Sequence, residues 1–440
     1  MRIRNIATIL VLYCSTMAAQ FTNYLGPGIL TRGASDIGTR AGQDVDLRFY
    51  VNATGIFDNG IQPYSVDGNG KLAVVDGLWG TEVALGAYGV HKFRHARLGL
   101  DYKGTYRHYT NNSFYDGTDQ ILTLGYTYQK SRRLVFDTRQ IAGTVSQGTS
   151  FSGALPTVTD ALVTPSSLLF DNRADFLQSS LDVNYLQSQR TVLTFGGQGF
   201  GVWRKATGLI GTEGYDLHGT VQRRLSMRTT IGASYQHAHY DYPKAFGETD
   251  INTYSAIFAT QFGRYWTFSS RVGAYQAEVI GLQQVAVAPE IAALLGVATK
   301  VQTFYQKSIF PNLRFDLNRR FQRASLGFQY AQGASAGNGV YLTSREESAS
   351  ASFSYSATRK WSLSASAAAT RLKGIAQDLQ PYTQFNGGAG ITYAITGPIH
   401  LIARYDARHQ EIVDGVYKGT SYRATVGISF SPGDIPLAFH

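Results

Sequence analysis

The stretch "TRKWSLSASAAATRL", residues 358–372, alternates from one residue to the next. Trp361, Leu363, Ala365, Ala367 and Ala369 fall on one side of an extended chain, while Ser362, Ser364, Ser366 and Thr370 fall on the other. A period of two is that of a β-strand with one apolar and one wet face. The pattern recurs from Asp44 to Phe430. Val45, Leu47, Phe49 and Val51 oppose Asp46, Arg48, Tyr50 and Asn52. Leu98, Leu100, Tyr102 and Tyr106 oppose Arg97, Asp101, Lys103 and Thr105. Leu313, Phe315 and Leu317 oppose Arg314 and Asp316, and Ile399, Leu401, Ala403 and Tyr405 oppose His400, Arg404, Asp406 and Arg408. A soluble sheet would cover such apolar faces with helices or a second sheet. The chain shows almost no helical periodicity with which to do so.

Composition supplies the solvent. Charged residues are 16% of the 440, against roughly 25% in soluble proteins. Their place is taken by Gly (47), Tyr (28), Phe (24) and small polar residues. Aromatics at interfaces with neutral polar residues inside are what a transmembrane barrel uses. Beyond the N-terminal segment no apolar run reaches the about 18 residues of a membrane helix, so any crossing is made by strands. The fold class expected is all-β: a transmembrane, antiparallel, up-and-down β-barrel over 43–430.

Short connections at 92–95, 130–133, 188–190, 223–228, 263–264, 318–323, 358–360 and 396–398 alternate with longer ones. The longer ones lie at 56–77, 110–117, 147–174, 204–212, 242–250, 279–309, 333–344, 373–382 and 412–419. Eight short and nine long connections join eighteen strands, or sixteen if a weak segment such as 78–90 is not one. An even count with both termini at the short-turn end is the rule for bacterial outer-membrane barrels. The short turns are rich in Lys and Arg and flanked by Phe93, Trp266, Phe321 and Trp361. These suit lipid phosphates and an aromatic girdle.

The opening "MRIRNIATILVLYCSTMAAQ" has Arg2 and Arg4, an apolar stretch from Ile6 to Cys14, and Ala18 and Ala19 at a cleavage position. Residues 1–19 are expected to be a secretory signal peptide, 20–42 a periplasmic lead and 431–440 a C-terminal tail. The single cysteine, Cys14, lies in the signal, so the mature chain has no disulfide or thiolate ligand. The net charge of +10 is dispersed, which with export speaks against nucleic acid as partner.

The last strand, "SYRATVGISF", sets Tyr422, Ala424, Val426, Ile428 and Phe430 on one face. It resembles the C-terminal strand by which bacterial outer-membrane barrels are taken up by the barrel-assembly machinery. The chain departs from that pattern in having ten residues after Phe430. The resemblance covers about 43–430, is porin-like in architecture and similar in scale to polysaccharide-export barrels. It implies outer-membrane lipid and the assembly machinery as partners, and leaves a homo-oligomer open.

No Gly-x-Ser-x-Gly elbow occurs, and no enzyme or cofactor is expected. His237 and His239 share a strand face, but no third ligand is evident, so no metal is expected. "DGNG" at 67–70 lacks the distal Glu of a calcium loop and reads as a turn. "NGGAG" at 386–390 follows no strand-to-helix pattern and reads as strand glycine.

By alternation the residues expected to line the lumen are Arg48, Arg97, Asp101, Lys103, Arg139, Arg271, Arg314, Asp316, Arg323, Arg404, Asp406, Arg408 and Arg423. Asp46, Asp137, Asp182 and Asp216 join them. About 18 strands leave an aqueous channel, and its charges set which solutes pass. The excess of arginine predicts a lean toward anions. Segments 147–174 and 279–309 are apolar enough to fold into the mouth as a constriction, with Pro289 and Glu290 suited to a short helix's first turn. The function expected is a porin-like channel for hydrophilic solutes. An export channel for a secreted polysaccharide is the alternative, and an outer-membrane enzyme or structural barrel a third.

Overall fold

A computed structural model of the protein describes residues 45–59, 65–66, 72–73, 77–110, 116–145, 173–205, 209–286, 299–321, 323–337, 339, 341–355, 360–376, 380–396, 398–412 and 417–431. The expected signal peptide, most of the segment 147–174, the helix start at Pro289 and Glu290, the "DGNG" turn and nearly all of the tail lie outside them.

The strands are β1 (Val45–Asn59), β4 (Leu78–Lys92), β5 (Ala96–Tyr109), β6 (Gly117–Gln129), β7 (Leu134–Val145), β8 (Ala174–Leu186) and β9 (Thr191–Arg204). Next come β10 (Thr212–Arg224), β11 (Thr229–Asp241), β12 (Glu248–Phe262), β13 (Trp266–Ala286), β14 (Thr299–Arg320) and β15 (Ala324–Ser335). The set ends with β16 (Ser344–Tyr355), β17 (Trp361–Gly374), β18 (Tyr382–Ala394), β19 (Ile399–Ile412) and β20 (Tyr417–Phe430). Two-residue strands β2 (Ser65–Val66) and β3 (Leu72–Ala73) pair with each other in the connection after β1.

Every long strand pairs antiparallel with its neighbour in the chain, and β20 pairs with β1 to close an 18-stranded ring. Closure leaves the sheet without the exposed edges that invite aggregation. The count of eighteen holds and sixteen does not, because the doubtful segment 78–90 is β4, paired along its length with β1 and β5. The eight tight turns fall where the sequence places them. In three of them the hydroxyls of Ser131, Ser188 and Ser226 accept hydrogen bonds from the N–H groups two and three residues on. A serine closing its own turn in this way stabilises the reversal locally.

One strand pair departs from expectation. Residues 279–309 are not one loop: β13 and β14 run on in register to Ala286 and Thr299. The alternation of "AEVIGLQQVA" and "TKVQTFYQ" continues the ladder beyond the rim, so only 287–298 is left as connection. The 56–77 connection likewise begins later, since β1 continues to Asn59.

Large apolar side chains occupy one face of the closed sheet. Trp79, Phe195, Tyr254, Val426 and Ile428 are all more than half exposed, and among the described residues no layer covers them. At the short-turn end Trp361 packs on Tyr393 at 4.5 Å, and Arg319 lies 4.8 Å from the Trp266 ring and 4.3 Å from that of Phe321. Arginine stacked on a girdle aromatic keeps its charge at the edge of the apolar band.

Candidate functional site

Alternation divides every strand into an outward and an inward set, and the inward set carries the charge. On β5 the inward residues include Arg97, Asp101, Lys103, Arg107 and Tyr109. Arg139 and Asp137 stand on β7, Asp182 on β8, Asp216 on β10 and Arg271 on β13. Arg314 and Asp316 stand on β14, Arg404, Asp406 and Arg408 on β19, and Arg423 on β20. Arg323 is a correction: it lies in the exposed turn before Ala324 and is on no strand face. The side chains of Asp46 and Arg48 lie outside the described residues.

The inward charges pair with one another. Arg404 grips Asp406 through Nε at 2.7 Å and Nη2 at 2.6 Å. Arg314 donates to Asp316 at 3.2 Å, and Asn184 to Asp137 at 2.9 Å. Arg423 holds Asp58 by two bonds of 2.6 and 2.8 Å and reaches the Tyr109 hydroxyl at 3.1 Å. Arg107 bridges Glu82 at 3.1 Å and also binds Asp119. His218 spans two carboxylates, with Nε2 3.0 Å from Asp182 and Nδ1 3.2 Å from Asp216. Pairs directly opposite or diagonal across strands stiffen the wall.

Asp58, Glu82, Arg107, Asp119, Arg204, His218 and Glu346 were not among the residues read inward from sequence. For Arg107 strict alternation was the available signal, since it sits four residues after Lys103. With these acids included, inward carboxylates among the described residues are about as numerous as inward guanidinium and ammonium groups. The arginine excess behind the expected anion preference is therefore offset.

The mouth is crossed by the connection between β15 and β16, of which residues 336–337, 339 and 341–343 are described. Ala336 packs with Ile141, Val145, Phe176, Phe200 and Val202, on the inner faces of β7, β8 and β9 across the ring. The Tyr242 hydroxyl donates to the Ala336 carbonyl at 3.2 Å and bonds Thr343 Oγ1 at 2.8 Å, and Thr343 Oγ1 lies 2.6 Å from Thr249 Oγ1. The Ile210 N–H donates to the Gly339 carbonyl at 3.0 Å. Behind it Ile375 joins Ala238, Ile251, Tyr275 and Ala277 in a second apolar cluster. Gly337 and Gly339, at φ 79° and 93°, give the connection a turn that other residues rarely adopt. Burial pushes the Tyr242 and Tyr341 hydroxyls above their ordinary range, so both remain protonated donors. Sequence reading placed a constriction in 147–174 or 279–309. The short, glycine-rich "AGNGVYLT" gave no apolar signal, and its docking surface lies on distant strands.

His237 and His239 face outward, with Nδ1 atoms 3.1 Å from Asn252 Oδ1 and 2.8 Å from Asp250 Oδ1. Among the described residues no group of three or more His, Cys, Asp or Glu is placed to hold a metal ion. The glycines of "NGGAG" lie in β18, where a side chain at Gly388 would collide with the Asp406 carboxylate.

No protein-family model matches the sequence, and no curated protein is similar to it. Among solved structures the chain is similar to Pseudomonas aeruginosa OpdL, with 12% identity over 88% of this chain and 99% of that one, and a TM-score of 0.41. It is similar also to Pseudomonas aeruginosa OccK9 (OpdG), at 14% identity over 88% and 98% with a TM-score of 0.43. A third is Acinetobacter baumannii OccAB2, at 12% over 89% and 99% with a TM-score of 0.42. Likenesses this distant assign the chain to no family.

Proposed function

We propose that the chain is a bacterial outer-membrane channel of porin type that passes hydrophilic solutes. The observation that carries this reading is the division of one closed sheet into an uncovered apolar exterior and a charged, hydrogen-bonded interior. Such a wall is stable only with lipid outside and water within. In this reading residues 1–19 direct export, and the assembly machinery takes the chain to the outer membrane.

The inward connection packs on β7–β13 and, through Tyr341, on Leu372 and Tyr382 of β17 and β18, which narrows the path left for solutes. A mouth crossed by so short and well-bonded a segment suits small solutes better than a polymer. The interior is a conduit and not a reaction site: His218 faces two carboxylates, where a nucleophilic mechanism would need a hydroxyl.

The test is single-channel conductance of the refolded chain 20–440 in a planar bilayer, with neutral and acidic oligosaccharides added. Steady openings that long sugars leave unchanged are expected. A silent bilayer from correctly folded protein would refute the channel, and block by long sugars would move the reading to polymer export.

A further inference from the structure

The ring is weakly joined at one place in its wall. β14 pairs with β13 over 21 residues, as far as Ala286 and Thr299, and β15 pairs with β16 over twelve, as far as Ser335 and Ser344. Between β14 and β15 the ladder has eight pairs, the fewest in the ring among the described residues, and it stops at Leu313 and Gln332. Pro311 stands two residues beyond that stop. It has no N–H to give a ladder, and proline in sheets is confined to edges and bulges.

Beyond Leu313 and Gln332 the two edges lie at different depths. Lower on β15 and β16 the outward side chains Leu326, Phe328 and Phe353 are exposed, whereas Gln332 on the same face is 5% exposed. Arg345 and Glu347, also on that face, act electrostatically on Tyr275, which points inward from β13. Ala334 and Ile375 share one apolar cluster with Tyr275, Ala277 and Val279 of β13 and with Phe304 and Phe310 of β14. The ends of β15–β17 therefore tuck behind β13 and β14, and the wall overlaps itself. The split begins inside the bilayer, because Leu313 pairs with Val272, six residues above the girdle residue Trp266. In tilted strands six residues rise roughly 15 Å, against an apolar band of about 25 Å. An open strand edge at that depth is tolerated only where it is buried or lines a watered cavity. The edge of β14 thus gives the split a polar margin, while Phe310, Tyr275 and Ala334 give it apolar faces.

Just below the split, Arg271 and Arg314 stand directly opposite each other on the lumen side. Like charges so placed repel. The acids that act on Arg271 are Asp316 and Asp216. Arg314 contacts Asp316 at 3.2 Å, and Asp216 is already held by His218 and Gln236. An anionic group between the two guanidinium groups relieves their repulsion. We propose that the split between β14 and β15 is a side portal, by which a single-chain anionic amphiphile passes between the lumen and the outer leaflet. Its chain lies between Phe310 and Ala334, and its head rests on Arg271 and Arg314. The portal rests on the channel reading and adds to it a route that avoids the mouth.

The test records single channels of the full chain, with Cys14, the sole cysteine, replaced by Ser and hexadecyl sulfonate dissolved in the bilayer. Brief current blocks are expected as the amphiphile enters the lumen through the wall. Asn312→Cys with Gly333→Cys staples the split, and there is room for it, since a side chain at Gly333 meets only Asn312 Oδ1, at 3.2 Å. Oxidation should leave the conductance as it was and lower the block frequency at least tenfold, and reductant should restore the blocks. Gly333→Phe, which fills the split without a crosslink, should lower the frequency equally. Arg271→Gln with Arg314→Gln should shorten each block at least tenfold. Blocks as frequent in the oxidised channel as in the reduced one would show entry from water and overturn the portal. An open channel that the sulfonate never blocks would overturn it too. A silent bilayer would overturn the channel reading, and the portal with it.

Discussion

Asp58 and Arg423 are 365 residues apart in the chain and meet across the seam where the last strand joins the first. Their side chains are 0% and 3% exposed, and Tyr109 donates to the same carboxylate at 2.5 Å. Removing one partner of a buried, hydrogen-bonded pair leaves the other charge uncompensated, at a cost of about 3–5 kcal/mol. Asp58→Asn should therefore lower the unfolding free energy by about that amount, measured by urea titration of the refolded barrel in lipid vesicles. Asp58→Asn with Arg423→Met should recover most of the loss. A single variant as stable as the parent would show that backbone pairing alone holds the seam. The residues read inward from alternation were legible because period two continues through each strand. Asp58 was not, because "NATGIFDN" reads as a turn until the register with β20 is known.

At the scale of elements, the connection between β15 and β16 is, among the described residues, the one that packs across the mouth. The Tyr242 hydroxyl is its principal polar tether, and a neutral hydrogen bond contributes about 0.5–1.5 kcal/mol. Tyr242→Phe should loosen the connection and raise the frequency of open-channel fluctuations, and deletion of 337–341 should raise the unit conductance outright. Unchanged records from both variants would remove this segment as the constriction. By contrast, shortening the β13–β14 ribbon at 284–300 should leave conductance as it is, because those residues continue the β13–β14 pairing as a ladder. An increase there would return the constriction to the segment the sequence suggested. The apolar composition of 279–309 was visible, but its partner was not: the same residues form either an inserted loop or a ribbon, and only pairing selects.

At the scale of the whole molecule, inward acids and bases among the described residues are about equal in number, and a wall of paired charges exerts little net field on a passing ion. The permeability ratio of chloride to potassium should lie within about twofold of unity in a salt gradient. A strong anion preference would show that the arginines act unpaired in the hydrated channel.

The sequence by itself determined the strand number, the turns, the closed antiparallel order and which face of each strand meets lipid. All of these follow from period-two patterning and turn residues, which are local. The tertiary structure alone decided which distant strands the 336–343 connection crosses to and which acids neutralise which arginines. Those depend on the register between strands and on the curvature of the closed ring, and neither is written in any one segment of the chain.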